Sequence, residues 1–440
     1  MLRNVRVDGR AVDVRAAKGT LSQIGPSLPA DGGREVDGRG GALLPGLHDH
    51  HIHLLAAAAA STSVSCGPDS VRTRDQLATA LRAAPGTGWV RGVGYDESVA
   101  GELDRERLDA LVRDRPVRVQ HRSGSLWVIN SAGLDRLGAG APADGLLWRR
   151  DEWLRERLGA EAVPSLAAVG ARLASFGVTG VTDATPGPAA TLAAAAREMP
   201  QRVVSLGETA GTGLQTGPRK IVLGDHDLPP YDDLVGAVLA ARAEGRAVAV
   251  HSVTRASLLL LLAVLESVGT VRGDRVEHAA VAPPEAVEVL ARLGVAVVTQ
   301  PSLVARRGDD YLDRVDPDDV PHLWRYASLL RAGVAVACSS DAPYGDPDPW
   351  SSVRAARDRT TASGRTVGAD ERVAASVALD GFLADPLEPG FVPRRTVVGA
   401  PADLVLLDGP LDAALDHPDG VRVRLTMING DIAYERTTDG

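Results

Sequence analysis

The nine residues Pro45-Gly46-Leu47-His48-Asp49-His50-His51-Ile52-His53 hold four of the chain's ten histidines. Imidazole nitrogen is a good ligand for Zn²⁺ and similar divalent ions. The small apolar run Gly40-Gly41-Ala42-Leu43-Leu44, punctuated by Pro45-Gly46, predicts that a strand begins here. Side chains alternate along a strand, so Asp49, His51 and His53 share one face while His48, His50 and Ile52 share the other. Two imidazoles at i and i+2 can reach one ion. Both His51 with His53 and His48 with His50 meet that condition.

Positioning such a site requires a scaffold, and the middle of the chain reads as alternating strands and helices. Eight strands of the right kind are expected at 47–53, 178–184, 202–208, 219–225, 247–253, 275–279, 295–301 and 334–341. Helical stretches such as 232–244 and 284–293 separate most of them. This alternation predicts an α/β fold with a parallel sheet, and eight such units a (β/α)8 TIM barrel. Barrels of this kind present catalytic groups at the C-terminal ends of their strands. Five expected strands carry groups of ligand type. The first ends in His51-x-His53, and the fourth reads Arg219-Lys220-Ile221-Val222-Leu223-Gly224-Asp225. The fifth reads Val248-Ala249-Val250-His251 and the sixth Arg275-Val276-Glu277-His278. The eighth closes with Cys338-Ser339-Ser340-Asp341-Ala342-Pro343.

Both chain ends read as short strands with tight turns, and Asn429-Gly430 is a hairpin signal. A small composite β-sandwich from 1–44 plus 394–440 is expected, with the barrel domain at 45–393. An insertion at about 60–165 follows the first barrel strand. It holds two more strand-like runs, 89–95 and 116–122, and a Gly/Ala/Pro loop at 138–145.

Composition narrows the function. At 440 residues, with 44% hydrophobic and 24% charged residues, the chain is long enough for one large domain and a smaller one. A net charge of −9 without a basic stripe argues against a nucleic-acid partner. The apolar run 258–264 is too short to span a bilayer. Cys66 and Cys338 form no motif, and the N-terminal residues show no apolar signal-peptide core, so a cytoplasmic protein is expected. Of the 48 basic residues only Lys18 and Lys220 are lysines. A chain that uses arginine almost everywhere has kept lysine where an amine is needed.

The frame Pro-Gly-Leu-x-Asp-x-His-x-His, followed by Lys, His, His and Asp on the fourth, fifth, sixth and eighth strands, resembles the metal-dependent amidohydrolase superfamily from Gly40 to Asp408. Gly177-Val178-Thr179-Gly180-Val181-Thr182-Asp183 and Gly399-Ala400-Pro401-Ala402-Asp403-Leu404-Val405-Leu406 add to the likeness. The branch with N-substituted formamide deformylase-like hydrolases is resembled through Asn130-Ser131-Ala132, Arg219-Lys220-Ile221, Val276-Glu277-His278, Gln300-Pro301, Ser340-Asp341-Ala342-Pro343 and Pro347-Asp348-Pro349-Trp350. The chain departs from that branch at Gly124-Ser125, where many relatives have Gly-His, and in its shorter length, which leaves the substrate open.

The resemblance implies two divalent ions, zinc first, with manganese or iron as alternatives. His51, His53 and Asp341 would hold one and His251 and His278 the other. Lys220, carboxylated by CO₂, would bridge them. It further implies hydrolysis of an amide-like C–N bond, linear or cyclic, in a small molecule. A metal-bridging hydroxide would be the nucleophile and Asp341 the proton carrier. A salt bridge from Lys220 to Asp225 or Asp227 is the plainer reading of that lysine, but arginine would serve there equally well. Asp225 and His226 read as loop residues, and His121, His322 and His417 as structural or surface histidines. Tyr95, Asp96, Arg307 and Tyr344 are candidate substrate contacts, with Arg306 beside them. Two rival readings stand beside this one. A mononuclear deaminase of the same superfamily lacks the strand-four lysine and needs an acid near His251 that is not found. A non-catalytic binding relative would not need every ligand position filled. Self-association is left open.

Overall fold

The computed structural model describes residues 1–158, 164–224 and 227–436. The chain divides into two compact units, Met1–Leu54 with Ser165–Gly440, and Leu55–Pro164.

The first unit is an α/β fold built on parallel sheets. Its principal strands are β1 (Leu47–Ile52), β2 (Val178–Asp183), β3 (Arg202–Ser205), β4 (Arg219–Val222), β5 (Val248–Ser252), β6 (Arg275–His278), β7 (Ala296–Thr299) and β8 (Val336–Cys338). One sheet orders the short strand Gln215–Thr216, then β3, β2 and β1, and the other runs from β4 to β8 in sequence order. Parallel neighbours need a crossover, and helices supply it. Tyr231–Ala243 lies between β4 and β5, Arg255–Val268 between β5 and β6, and Pro284–Leu293 between β6 and β7. Each helix begins and ends where its chemistry directs. Thr254 closes a capping box with Ser257 at the start of Arg255–Val268, and Gly294, at φ 66°, ends Pro284–Leu293 in the left-handed region.

Every residue of β1 is buried, its three histidines and Asp49 included. A parallel sheet covered on both faces imposes that burial. Main-chain bonds also run from sheet to sheet. Lys220 N donates to Leu206 O at 2.9 Å, Asp341 N to His51 O at 2.8 Å and His53 N to Ala342 O at 2.9 Å. The last two tie the end of β8 to the end of β1.

The chain ends form two further sheets in the same unit. Leu2–Val7, Arg10–Ala17 and Thr20–Gly25 are antiparallel, with Val36–Asp37 added in parallel. Leu43–Pro45 joins Leu404–Leu407, Val423–Ile428 and Asp431–Glu435 in the second. One apolar cluster, including Leu2, Val5, Val14, Leu404, Leu406 and Leu425, draws on both sheets. Asn429 and Gly430 sit at φ 54° and 89°, as a two-residue hairpin turn between Ile428 and Asp431 requires.

The second unit has a five-stranded sheet of its own, ordered Leu146–Trp148, Leu126–Ile129, Val117–His121, Val90–Tyr95 and Val64–Ser65. Leu77, Leu81, Leu108 and Val119 belong to its separate core. Among the described residues no helix is long and apolar enough to cross a membrane. Of the expected fourth strand, Asp225 lies outside the described residues, as does His226.

Candidate metal centre

β1 delivers His51, and His53 follows just past its end. Nε2 of His51 lies 3.6 Å and Nε2 of His53 3.4 Å from Oδ1 of Asp341. One ligand atom from each of the three falls within 4.8 Å of the others. The opposite register is used otherwise. His48 Nε2 is 2.9 Å from Thr182 Oγ1, and the His48 and His50 rings lie tilted against each other with centroids 4.7 Å apart.

Asp341 comes from the far end of the sheet and is held there by backbone geometry. Its φ of 54° is left-handed, and Tyr344 N donates back to its carbonyl at 2.9 Å. Asp49 fastens the same corner. Its carboxyl accepts from Ser340 N at 3.0 Å, from Ser340 Oγ, and from His51 N at 3.2 Å. Burial pushes the Asp49 carboxyl up to about 6.

A second group of donors stands alongside. The His251 and His278 rings are 4.5 Å apart, and the His278 ring is 4.9 Å from that of His51. His53, His51, His278 and His251 therefore form a file of four imidazoles. His278 reaches this position by breaking strand alternation. Consecutive strand residues point to opposite faces, but φ values of 75° at His278 and 48° at Ala279 turn the chain. Nδ1 of His278 meets Gln300 Oε1 at 2.8 Å. Gln300 Nε2 donates to Val298 O at 3.1 Å and Ser339 Oγ at 2.9 Å, which fixes the amide so that its oxygen accepts from Nδ1–H. Nε2 of His278 is thereby left with its lone pair. Glu277 plays the corresponding part for His51 by bonding its Nδ1.

Lys220 enters from β4. It is buried, and among the described residues its Nζ has no hydrogen-bond partner, Asp227 included. Burial lowers its pKa, with Glu277 and Asp341 opposing. Burial also takes His51 down to about 3 and His251 to about 2, with Lys220 and neighbouring groups contributing. These rings are neutral at pH 7 and can offer lone pairs. At Asp341 burial works against ionisation, yet the bond from His53 and the neighbouring His51 and His278 imidazoles hold the carboxyl below its usual range.

Among the described residues, His51 Nε2 and Lys220 Nζ lack a protein hydrogen-bond partner, as do both ring nitrogens of the adjacent His50. Buried polar groups in proteins are generally paired, so unpartnered ones that face one another across a cluster of ligand-type side chains point to a missing partner. Four imidazoles, a carboxylate and an amine are the donor chemistry of a divalent cation site, so the residues present fit metal ions.

The other expected site residues are placed as follows. The Tyr344 ring stands edge-on to His53 at 5.8 Å, and Arg306 Nη1 donates to Tyr344 O at 3.3 Å. Arg307 is half-buried on the helix Pro301–Arg314. Tyr95 and Asp96 belong to the second unit and are engaged within it. Tyr95 OH donates to Gly101 O, and Asp96 caps Glu97–Ala100 and pairs with Arg122 at 2.9 Å. His121 lies 2.8 Å from Ser123 Oγ, His322 accepts from Arg325 at 3.0 Å, and His417 caps Leu411–Asp416. Sequence reasoning did not assign roles to Asp49, Glu277 and Gln300. Arg275 and Glu277, two opposite charges on one face of a four-residue core strand, were the available signal.

Parallel α/β sheets with imidazoles, carboxylate and amine gathered at strand ends define the class of metal-dependent hydrolases. Residues 34–434 match the model of the amidohydrolase family, and the chain belongs to that family of hydrolases acting on carbon–nitrogen bonds. It is 26% identical to N-substituted formamide deformylase from Arthrobacter pascens, over 99% of this chain and 97% of the relative. An uncharacterized metal-dependent hydrolase from Pyrococcus horikoshii OT3 superposes with a TM-score of 0.73 at 21% identity, covering 92% of this chain and 96% of that one. Atrazine chlorohydrolase TrzN from Arthrobacter aurescens TC1, solved in complex with zinc, gives 0.53 at 14% identity, over 100% and 96% of the two chains.

Proposed function

We infer that this protein is a binuclear metal-dependent amidohydrolase cleaving an amide-like C–N bond of a small molecule. The observation that carries the reading is the buried Lys220 amine, without a hydrogen-bond partner among the described residues, beside two sets of donors. In this reading β1 to β8 close into a (β/α)8 barrel, supported by the main-chain bonds Lys220–Leu206 and Asp341–His51. The apolar cluster shared by the terminal sheets supports a composite β-sandwich from 1–44 and 394–440.

His51, His53 and Asp341 would hold one ion, and His251 and His278 the second. Neither second-group histidine has a further carboxylate in the set described above, so an anion is needed between the two ions. Lys220 supplies it. Its neutral amine attacks CO₂, a C–N bond forms, the amine proton leaves, and a carbamate anion results. Desolvation favours the neutral amine this step needs. Bound divalent ions supply Lewis acidity towards the scissile carbonyl and acidify water. Asp341, held ionised, accepts the proton of the attacking water and delivers it to the departing amine. The named activity of the Arthrobacter pascens relative makes N-substituted formamides the first substrates to try.

Elemental analysis after loading with Zn²⁺, Mn²⁺ or Fe²⁺ tests the reading, together with turnover of formamides, other N-acyl amines, hydantoins and lactams. Two ions per chain and hydrolysis of one class are expected. A ratio that stays at one would favour the mononuclear reading, in which the tight cluster of His51, His53 and Asp341 acts alone.

A further inference from the structure

Glu277 precedes His278 on β6, but its side chain crosses to β1. Oε2 is hydrogen-bonded to Nδ1 of His51, and Oε1 accepts from Nε of Arg275 at 2.6 Å. Arg275 Nη2 in turn donates to the carbonyl of His50 at 3.1 Å. Both members of the pair thus return to the strand that carries the first metal ligands. Their side chains are fully buried. A buried ion pair contributes little net stability, because desolvation offsets the attraction, and two apolar residues would fill the same space. Core packing alone does not account for its presence, whereas the orientation of His51 does.

We propose that Glu277, braced by Arg275, is a positioning residue that holds His51 protonated at Nδ1 and so turns its Nε2 lone pair to the cation shared with His53 and Asp341. A carboxylate has only acceptors to offer, so Nδ1 donates. The neutral ring then carries its lone pair on Nε2, the atom without a hydrogen-bond partner among the described residues. That atom has a competing use. It lies 3.6 Å from Asp341 Oδ1, and the other tautomer would present an N–H to that oxygen, closing the ligand set on itself. Glu277 makes that tautomer unfavourable by requiring the proton at Nδ1. His278 receives its proton constraint from the neutral amide of Gln300, whereas His51 receives it from an anion, which also raises the basicity of Nε2. The assignment rests on the metal reading of the site.

The test is Zn²⁺ titration of the metal-free full chain against a chromophoric chelator, with thermal melting of the same samples. Glu277→Gln should weaken zinc binding about 10–100-fold, since the amide can present its NH₂ to Nδ1. Glu277→Asp should regain part of that loss. Adding His51→Ala to Glu277→Gln should weaken binding little further, because the two act through one ligand. Arg275→Met with Glu277→Gln removes both charges together, and its metal-free form should melt near the wild type. Should Glu277→Gln alone fail to fold, this double variant decides. Wild-type zinc affinity in a folded Glu277→Gln or double variant overturns the assignment. Loss without any recovery in Glu277→Asp does so too, since it would mark a purely structural role. A wild-type protein that binds no zinc would instead sink the metal reading itself.

Discussion

The two halves of the centre are built differently. On the β1–β8 side, His51, His53 and Asp341 already converge, with ligand atoms within 4.8 Å of one another. Main-chain bonds and the Asp49–Ser340 contact lock that corner. On the β4–β6 side, two imidazoles face a lysine, and an amine that stays cationic would repel a metal ion. The first half is preorganised by the fold, whereas the second, in the function proposed above, is complete only after a covalent change. The difference separates what folding delivers from what chemistry must add.

The largest effect is expected where that difference is removed. Lys220→Arg keeps a permanent cation in the second half, because guanidinium neither loses its proton nor attacks CO₂. Metal content should fall in both halves and turnover should drop to background. Lys220→Ala leaves a gap that formate or acetate can partly fill, so adding such an acid with metal should restore some turnover. A metal-replete, active Lys220→Arg protein would break the comparison at its centre.

Asp341→Asn probes the preorganised half. The amide oxygen can still meet a cation but cannot take a proton. A loss of about 10²–10⁴-fold in kcat is expected, with at least one ion retained by elemental analysis. Near-normal kcat would move the proton carrier elsewhere.

Gln300→Ala acts chiefly on the second half, by freeing the His278 ring, although it also removes a bond to Ser339. About 10–100-fold weaker binding of one ion is expected, while the other stays in place under a limiting chelator. If both ions leave together, the halves are one cooperative unit and the contrast fails.

The smallest effect concerns pH in the metal-free protein. Burial takes His51 from 6.5 to about 3 and His251 to about 2, so the folded state binds fewer protons than the unfolded chain below pH 6.5. Stability is therefore full above the unfolded value and falls as pH drops towards 3. The urea midpoint should be lower at pH 5 than at pH 7, and saturating zinc should shift the balance further towards the folded state at pH 7. A midpoint independent of pH would mean that these rings are not buried as neutral groups.

How far this was legible from sequence follows from the range of each signal. His51, His53, Lys220, His251, His278 and Asp341 lie at strand ends that local apolar runs announce, and the structure brings all six to one place. The residues that orient them left little local trace beyond the Arg275 and Glu277 pair on one strand face. Glu277 bonds a histidine 226 positions away, and strand alternation puts Glu277 and His278 on opposite faces until the left-handed turn at His278 is known. Asp49 shares the face of His51 and His53 yet serves Ser340 instead of an ion. In the second unit, 89–95 and 116–122 read as strands and are strands, as Val90–Tyr95 and Val117–His121. Leu126–Ile129 and Leu146–Trp148 were not foreseen, because segments of four and three residues are too short for periodicity to register.

The contact between Asp49 and Ser340 joins positions 291 residues apart, and that distance sets a timetable. Chains are made from the N-terminus and fold as they emerge. The histidines of β1 therefore leave the ribosome long before Lys220, His278 and Asp341 exist. Two imidazoles on a lone strand fall short of the three or four protein ligands that hold zinc. In the proposed reading the ion is therefore expected late, at a scaffold that has already formed, unlike small domains whose folding depends on metal. Refolding of the denatured chain should reach its native far-ultraviolet signal equally fast with or without a chelator, and cells short of metal should accumulate an intact but idle protein.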